Sequence, residues 1–157
     1  MQLSRLMTTP PCRLRPVAPV SGTRARIPRV LVIDDEADFG DTLREALATE
    51  YEVVAVTEAD EALRRLRAGE RYDVILCDMM MPSMDGVEFH RQLMTFSPDN
   101  ASRVVFMSGG ALVVRVESFF DHVPNALLSK PVDLDGLRAF IERRLGGGAL
   151  SSQAVRA

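Results

Sequence analysis

No apolar run approaches the ~20 residues of a membrane span, so the sequence reads as that of a soluble protein without a membrane association. Cysteine is scarce. Cys12 lies in a polar leader and Cys77 in an apolar run, a spacing that suggests neither a zinc site nor a disulfide framework and suits a cytoplasmic location. Lysine is scarcer: of the 19 lysines and arginines only Lys130 is a lysine. Residues 1–29 lack any acid and carry six arginines, leaving all 22 acids against 13 bases in the rest. An acidic body argues against direct nucleic-acid binding, where a basic face is expected. No internal repeat is present, and 157 residues suit one folded unit with a real core.

The order of elements comes from hydrophobic period and turn chemistry. Residues 1–28 hold five prolines and show neither helical nor strand period, so a disordered leader is expected. It lacks a continuous apolar h-region, which argues against export. A folded domain then spans 29–146, followed by a flexible tail at 147–157. Four β-prone runs start at Val30, Glu52, Val74 and Arg103, and a short fifth covers Ala126 to Leu128. Helices follow each. Phe39, Leu43, Ala46 and Leu47 share one face of the first, and Gly69 closes the second. The third runs from Gly86 to Met94 and is broken by Ser97, Pro98 and Asn100. The fourth covers 112–122. Asp133 N-caps the fifth, whose buried stripe is Leu137, Phe140, Ile141 and Leu145. Alternation of this kind predicts a doubly wound α/β fold with a parallel sheet.

Polar groups gather where the strands stop. The first ends in Asp34 and Asp35, the third in Asp78, the fourth in Ser108 and the fifth in Lys130. Right-handed crossovers bring all of these to one sheet edge, where ligands bind in such folds. Two unit charges ~4 Å apart repel by about 4 kcal/mol at an effective dielectric near 20. Three clustered carboxylates must therefore hold protons with raised pKa values or bind a cation. Oxygen ligands without His or Cys suit Mg²⁺, which also recruits phosphoryl oxygens. The site looks built to take a phosphoryl group on Asp78, with Lys130 as a compact fixed charge and Ser108 as a hydroxyl partner.

The motifs Val-Ile-Asp34-Asp35-Glu, Cys-Asp78-Met-Met-Met-Pro82-Ser-Met-Asp85-Gly86, Met-Ser108-Gly-Gly and Ser-Lys130-Pro131 together resemble the receiver domain of two-component response regulators. The resemblance covers roughly Arg29 to Leu145. It implies a flavodoxin-like sheet of order 2-1-3-4-5 with five helices. It also implies a phosphoacceptor at Asp78, fed by a sensor histidine kinase or a histidine phosphotransfer protein. Asp34, Asp35, Asp78 and the backbone carbonyl of Met80 would hold Mg²⁺. Ser108 would be the switch hydroxyl, Lys130 would contact the phosphoryl group, and the bond before Pro131 would be cis. The resemblance also allows a weak homodimer through the fourth and fifth helices, as a family possibility only.

One departure stands out. Receivers often carry Tyr or Phe three residues before the lysine, and here that residue is Leu127. The expected function is a phosphorelay receiver that signals through a changed surface to a downstream protein, with no output domain after Leu145. A Mg²⁺-dependent phosphohydrolase is the competing enzyme reading. Such enzymes need a second Asp two residues after the nucleophile, where this chain has Met80. A pseudo-receiver that works without phosphorylation is a third. Among the remaining residues, Met79, Met80, Met81 and Met84 read as packing rather than soft ligands. His90 reads as a surface or half-buried side chain and His122 as a helix-end charge. Phe119 and Phe120 are adjacent, so one of them is expected to be exposed.

Overall fold

The computed structural model describes residues 26–110 and 118–146. The strands are β1 (Arg29–Ile33), β2 (Glu52–Val56), β3 (Val74–Asp78), β4 (Val104–Ser108) and β5 (Leu127–Ser129). All pair in parallel, in the order β2-β1-β3-β4-β5, as the resemblance implied. The helices are α1 (Ala37–Leu47), α2 (Ala59–Arg67), α3 (Gly86–Phe96), α4 (Pro98–Ala101) and α5 (Leu134–Leu145), with a further helical turn at 118–120. Of the helix expected at 112–122, residues 112–117 lie outside the described residues, as do 1–25 of the leader and the tail from 147 on, while 121–122 form a turn.

The two-sided apolar strands explain why helices cover both faces. Alternate residues of β3 feed different layers. Ile75 and Cys77 join Ala62, Leu63, Leu66, Phe89 and Leu93 beneath α2 and α3. Val74 and Leu76 join Leu43, Leu47, Leu137, Phe140 and Ile141 beneath α1 and α5. β3 is therefore buried along its whole length, anchored from above and below.

Local chemistry sets the helix ends. Gly69 closes α2 at φ +91°, a left-handed backbone that favours glycine. Asp133 caps α5 by accepting from the Gly136 N–H at 2.9 Å, and Asp85 caps α3 by accepting from Glu88 at 2.8 Å. Pro98 ends α3 as expected, but it also begins α4. Proline at the first helical position has no N–H to lose and a backbone angle already suited to a helix.

The amino edge of the sheet is held by charges. Arg26 pairs with both carboxylate oxygens of Asp73, at 2.6 and 2.9 Å. Arg29 reaches Glu52 at 2.9 Å and Glu70 at 3.5 Å, and its guanidinium lies 4.7 Å from the centre of the Tyr72 ring. The Tyr72 hydroxyl donates to Glu70 at 2.6 Å. Burial and that bond push the phenol up to about 12.

Candidate functional site at the carboxyl edge

The strand ladder continues one residue past three of its strands. The N–H groups of Asp34, Met79 and Lys130 donate to the carbonyls of Val56, Met107 and Ser108, at 3.2, 2.9 and 2.7 Å. Main-chain pairing thus fixes the places from which the acids and the lysine project. Asp34 and Asp78 are buried, while Asp35 is exposed. One carboxylate oxygen from each of the three lies within 4.8 Å of the others.

Lys130 sits between two of these acids. Its Nζ is 2.6 Å from Asp34 Oδ2 and 3.2 Å from Asp78 Oδ2. The other oxygen of each carboxylate accepts a backbone N–H two residues on. Asp34 Oδ1 takes that of Glu36 at 3.0 Å, and Asp78 Oδ1 takes that of Met80 at 3.3 Å. Repulsion between the carboxylates is thus relieved by an internal ammonium ion. Burial alone would lower the Lys130 ammonium, but the Asp34 hydrogen bond and the two negative charges outweigh it and raise its pKa above the ordinary value. The Lys130–Pro131 bond is cis, as the resemblance implied.

The remaining predicted residues fall around this centre. Ser108 ends β4, and its carbonyl accepts from Lys130. Among the described residues its hydroxyl makes no hydrogen bond to Asp78 or Lys130. Met80 enters through its main chain, while its side chain is 65% exposed at the rim. Met79 and Met81 are buried and Met84 packs on the core, in line with the packing reading. Cys77 donates to the Asp78 carbonyl at 3.3 Å; burial first, then the nearby acids, push its thiol far up, so it is an inert core group.

Several features lay beyond the sequence reading. The helical period gives Phe39 only a core-facing stripe, but its ring centre is 4.8 Å from Lys130 Nζ. Gly86 abuts the end of β3: an added Cβ would stand 2.9 Å from the Asp78 carbonyl oxygen. His90 is buried rather than superficial, packed against the rings of Phe106 and Phe119 at 5.8 and 5.4 Å. Burial lowers its pKa, against hydrogen bonds with Asn125 and the Ala101 backbone that raise it. Phe119 and Phe120 both pack on Phe106, so neither is the exposed aromatic that their adjacency suggested. His122 is exposed, with Nδ1 2.8 Å from the Ser118 carbonyl at the helix end.

A doubly wound parallel sheet that collects three carboxylates and one ammonium at its carboxyl edge defines a receiver-like α/β protein. The family profile of the response regulator receiver domain matches residues 30–142. The chain belongs to that family. It is similar to the response regulator MprA of Mycobacterium bovis, 32% identical over 133 residues that make up 82% of this chain and 56% of that protein. A shorter match is to the hydrogenase transcriptional regulatory protein HoxA of Cupriavidus necator, 47% identical over 41% of this chain and 13% of that protein. The chain thus spans little more than half the length of MprA and much less of HoxA. Among solved structures, a CheY-like receiver domain protein from Methanospirillum hungatei superposes with a TM-score of 0.68 at 25% identity, over 78% of this chain and 97% of that one. A receiver protein from Pseudomonas putida gives 0.67 at 26% identity, over 76% of this chain and 98% of that one. Among the described residues no helix is long and apolar enough to cross a membrane.

Proposed function

We propose that this receiver takes a phosphoryl group onto Asp78 from the phosphohistidine of a sensor histidine kinase or a histidine phosphotransfer protein. The observation that carries the reading is the Asp78 carboxylate itself, buried at the end of β3 and 3.2 Å from Lys130, with Asp34 and Asp35 beside it. An Asp78 oxygen forms a bond to phosphorus as the phosphorus–nitrogen bond breaks. The imidazole leaves with the electron pair and takes up a proton. Lys130 would neutralise charge on the transferring oxygens, and the Ser108 hydroxyl would bond one of them once the group is in place.

The donor set fits Mg²⁺: three carboxylates converge without a nitrogen or sulfur ligand among them. Asp34, Asp35, Asp78 and the Met80 carbonyl would hold the ion, which supplies charge neutralisation to phosphoryl transfer. The unit so described is the body at 29–146, with 1–28 and 147–157 as segments outside it.

The chain acts as a phosphoacceptor rather than a turnover enzyme. Two residues after Asp78, where a hydrolase would place its acid–base Asp, stands the exposed side chain of Met80. Signalling then runs through a phosphorylation-dependent surface offered to a downstream protein, in the cytoplasm and without direct nucleic-acid contact. Weak homodimerisation through α5 and the helix that ends at 120 is the assembly the family suggests. With Leu127 in place of an aromatic residue, that surface does not rely on a ring turning inward at this position.

Intact-mass spectrometry after incubation with acetyl phosphate, with and without Mg²⁺, tests the chemistry on wild type and Asp78→Asn. One metal-dependent phosphoryl adduct, absent from the variant, is expected. A wild type without the adduct would support the pseudo-receiver reading instead.

A further inference from the structure

An ammonium group carries three protons. Two of those on Lys130 point to acceptors already described, Asp34 Oδ2 and Asp78 Oδ2. The ring of Phe39 stands within reach as a third partner, its centre 4.8 Å from Nζ. A cation within about 6 Å of an aromatic face is attracted by the ring quadrupole. Phe39 is itself held in place, on the first turn of α1 and packed against the core layer of Leu43 and Leu47.

The three partners differ in one respect that matters for phosphoryl transfer. Asp34 and Asp78 each offer a carboxylate oxygen that a divalent cation would claim. If the ion takes the oxygens that Lys130 holds, both ionic anchors would be lost, and a lysine on a flexible four-carbon stem would be free to leave the site. Phe39 carries no net charge and offers no ligand atom to a metal. It can keep hold of the ammonium without competing for the cation or repelling an incoming phosphoryl group.

We propose that Phe39 is a positioning residue for phosphoryl transfer, its ring retaining the Lys130 ammonium at the site while Asp34 and Asp78 release it. The proposal rests on the receiver chemistry above and names a residue through which that chemistry is prepared. It also gives the aromatic character of position 39 a purpose that core packing alone does not require, since a leucine would fill a similar stripe.

Because Lys130 is the only lysine, ¹³C,¹⁵N-lysine labelling reports one side chain. In wild type, with and without saturating Mg²⁺, its ε-CH₂ protons are expected upfield of an unstructured lysine through the ring current of Phe39. Phe39→Leu abolishes that displacement and Phe39→Tyr keeps it. The rate of Asp78 labelling by acetyl phosphate at saturating Mg²⁺ should fall about two- to five-fold in Phe39→Leu and recover in Phe39→Tyr. In protein carrying phenylalanine with successive ring fluorines at position 39, the rate should fall stepwise, because fluorine withdraws charge from the ring face while keeping its shape. Wild-type adduct formation with the displacement absent under Mg²⁺, or rates indifferent to fluorination, would overturn the role of Phe39 and leave the receiver chemistry standing. The converse result, displacement intact under Mg²⁺ but no adduct on Asp78, would overturn the receiver chemistry and uphold the ring contact.

Discussion

Gly86 lies so close to Asp78 that a Cβ on the glycine would stand 2.9 Å from the aspartate carbonyl oxygen and 3.2 Å from the next Cα. Both obstacles are backbone, at the end of a strand buried on both faces, so neither can turn aside as a flexible side chain would. Glycine is required here for space rather than for an unusual backbone angle. The Gly86 N–H also donates to the Met79 carbonyl at 3.1 Å, which ties the start of α3 to the end of β3.

Gly86→Ala is therefore expected to destabilise the fold by about 1–3 kcal/mol, the usual range for overpacking a tight site. Urea denaturation measures it. Because the strain falls on the Asp78 main chain, labelling by acetyl phosphate should slow in the same variant under conditions where it is still folded. An unchanged midpoint would show that α3 can move away from β3 without cost.

Lys130→Met removes the ammonium that occupies one oxygen of each buried carboxylate. In metal-free buffer the variant should lose about 2 kcal/mol or more, allowing for the partial exposure of Lys130. Mg²⁺ then meets no competing internal cation, and its affinity should rise about ten-fold while phosphoryl transfer slows. Calorimetric titration with Mg²⁺ gives the affinity. Weaker binding than wild type would mean that Lys130 organises the carboxylates for the metal instead of competing with it.

His90 makes stability depend on pH in a defined direction. Its folded-state pKa is lowered, by burial above all, so the unfolded chain binds the proton more readily. The stabilising contribution of the neutral ring is complete above the unfolded value of about 6.5 and is lost as pH falls through the lower folded value. The difference in unfolding free energy between wild type and His90→Gln should shrink by up to ~1.4 kcal/mol per pH unit within that window. Urea titrations at closely spaced pH values between neutral and mildly acidic conditions measure it. A constant difference would place the His90 titration outside that range.

The parts of this molecule that could be read in advance are those whose cause lies within a few residues. Four apolar, β-prone runs gave their strands because a doubly covered sheet leaves no other place for such segments. Gly69 and Asp133 terminated helices through backbone and side-chain chemistry that is local. The gathering of Asp34, Asp78 and Lys130 was also legible, since parallel strands with right-handed crossovers deliver their carboxyl ends to one edge. The unread features arise from partners distant in sequence. His90 is buried because the rings of Phe106 and Phe119, 16 and 29 residues later, pack against it, near Asn125, which donates to the carbonyls of Ala101 and Val104 at 2.9 and 2.8 Å. No period in α3 announces that arrangement. Phe39 likewise fitted a helical stripe, and only the fold shows the far end of the chain bringing Lys130 to its ring. Pro98 carried two meanings at once, a stop and a start, of which the sequence reading took one.

The ion pairs around Arg29 and Tyr72 occupy the amino edge of the sheet, whereas Asp34, Asp78 and Lys130 occupy the carboxyl edge. Five strand residues separate the two, about 16 Å at the usual rise. Free-energy changes at sites so far apart combine additively to within about 0.5 kcal/mol. Robustness can thus be raised or lowered at the amino pole while reactivity at the carboxyl pole stays as it was, whereas changes at the carboxyl pole itself move both.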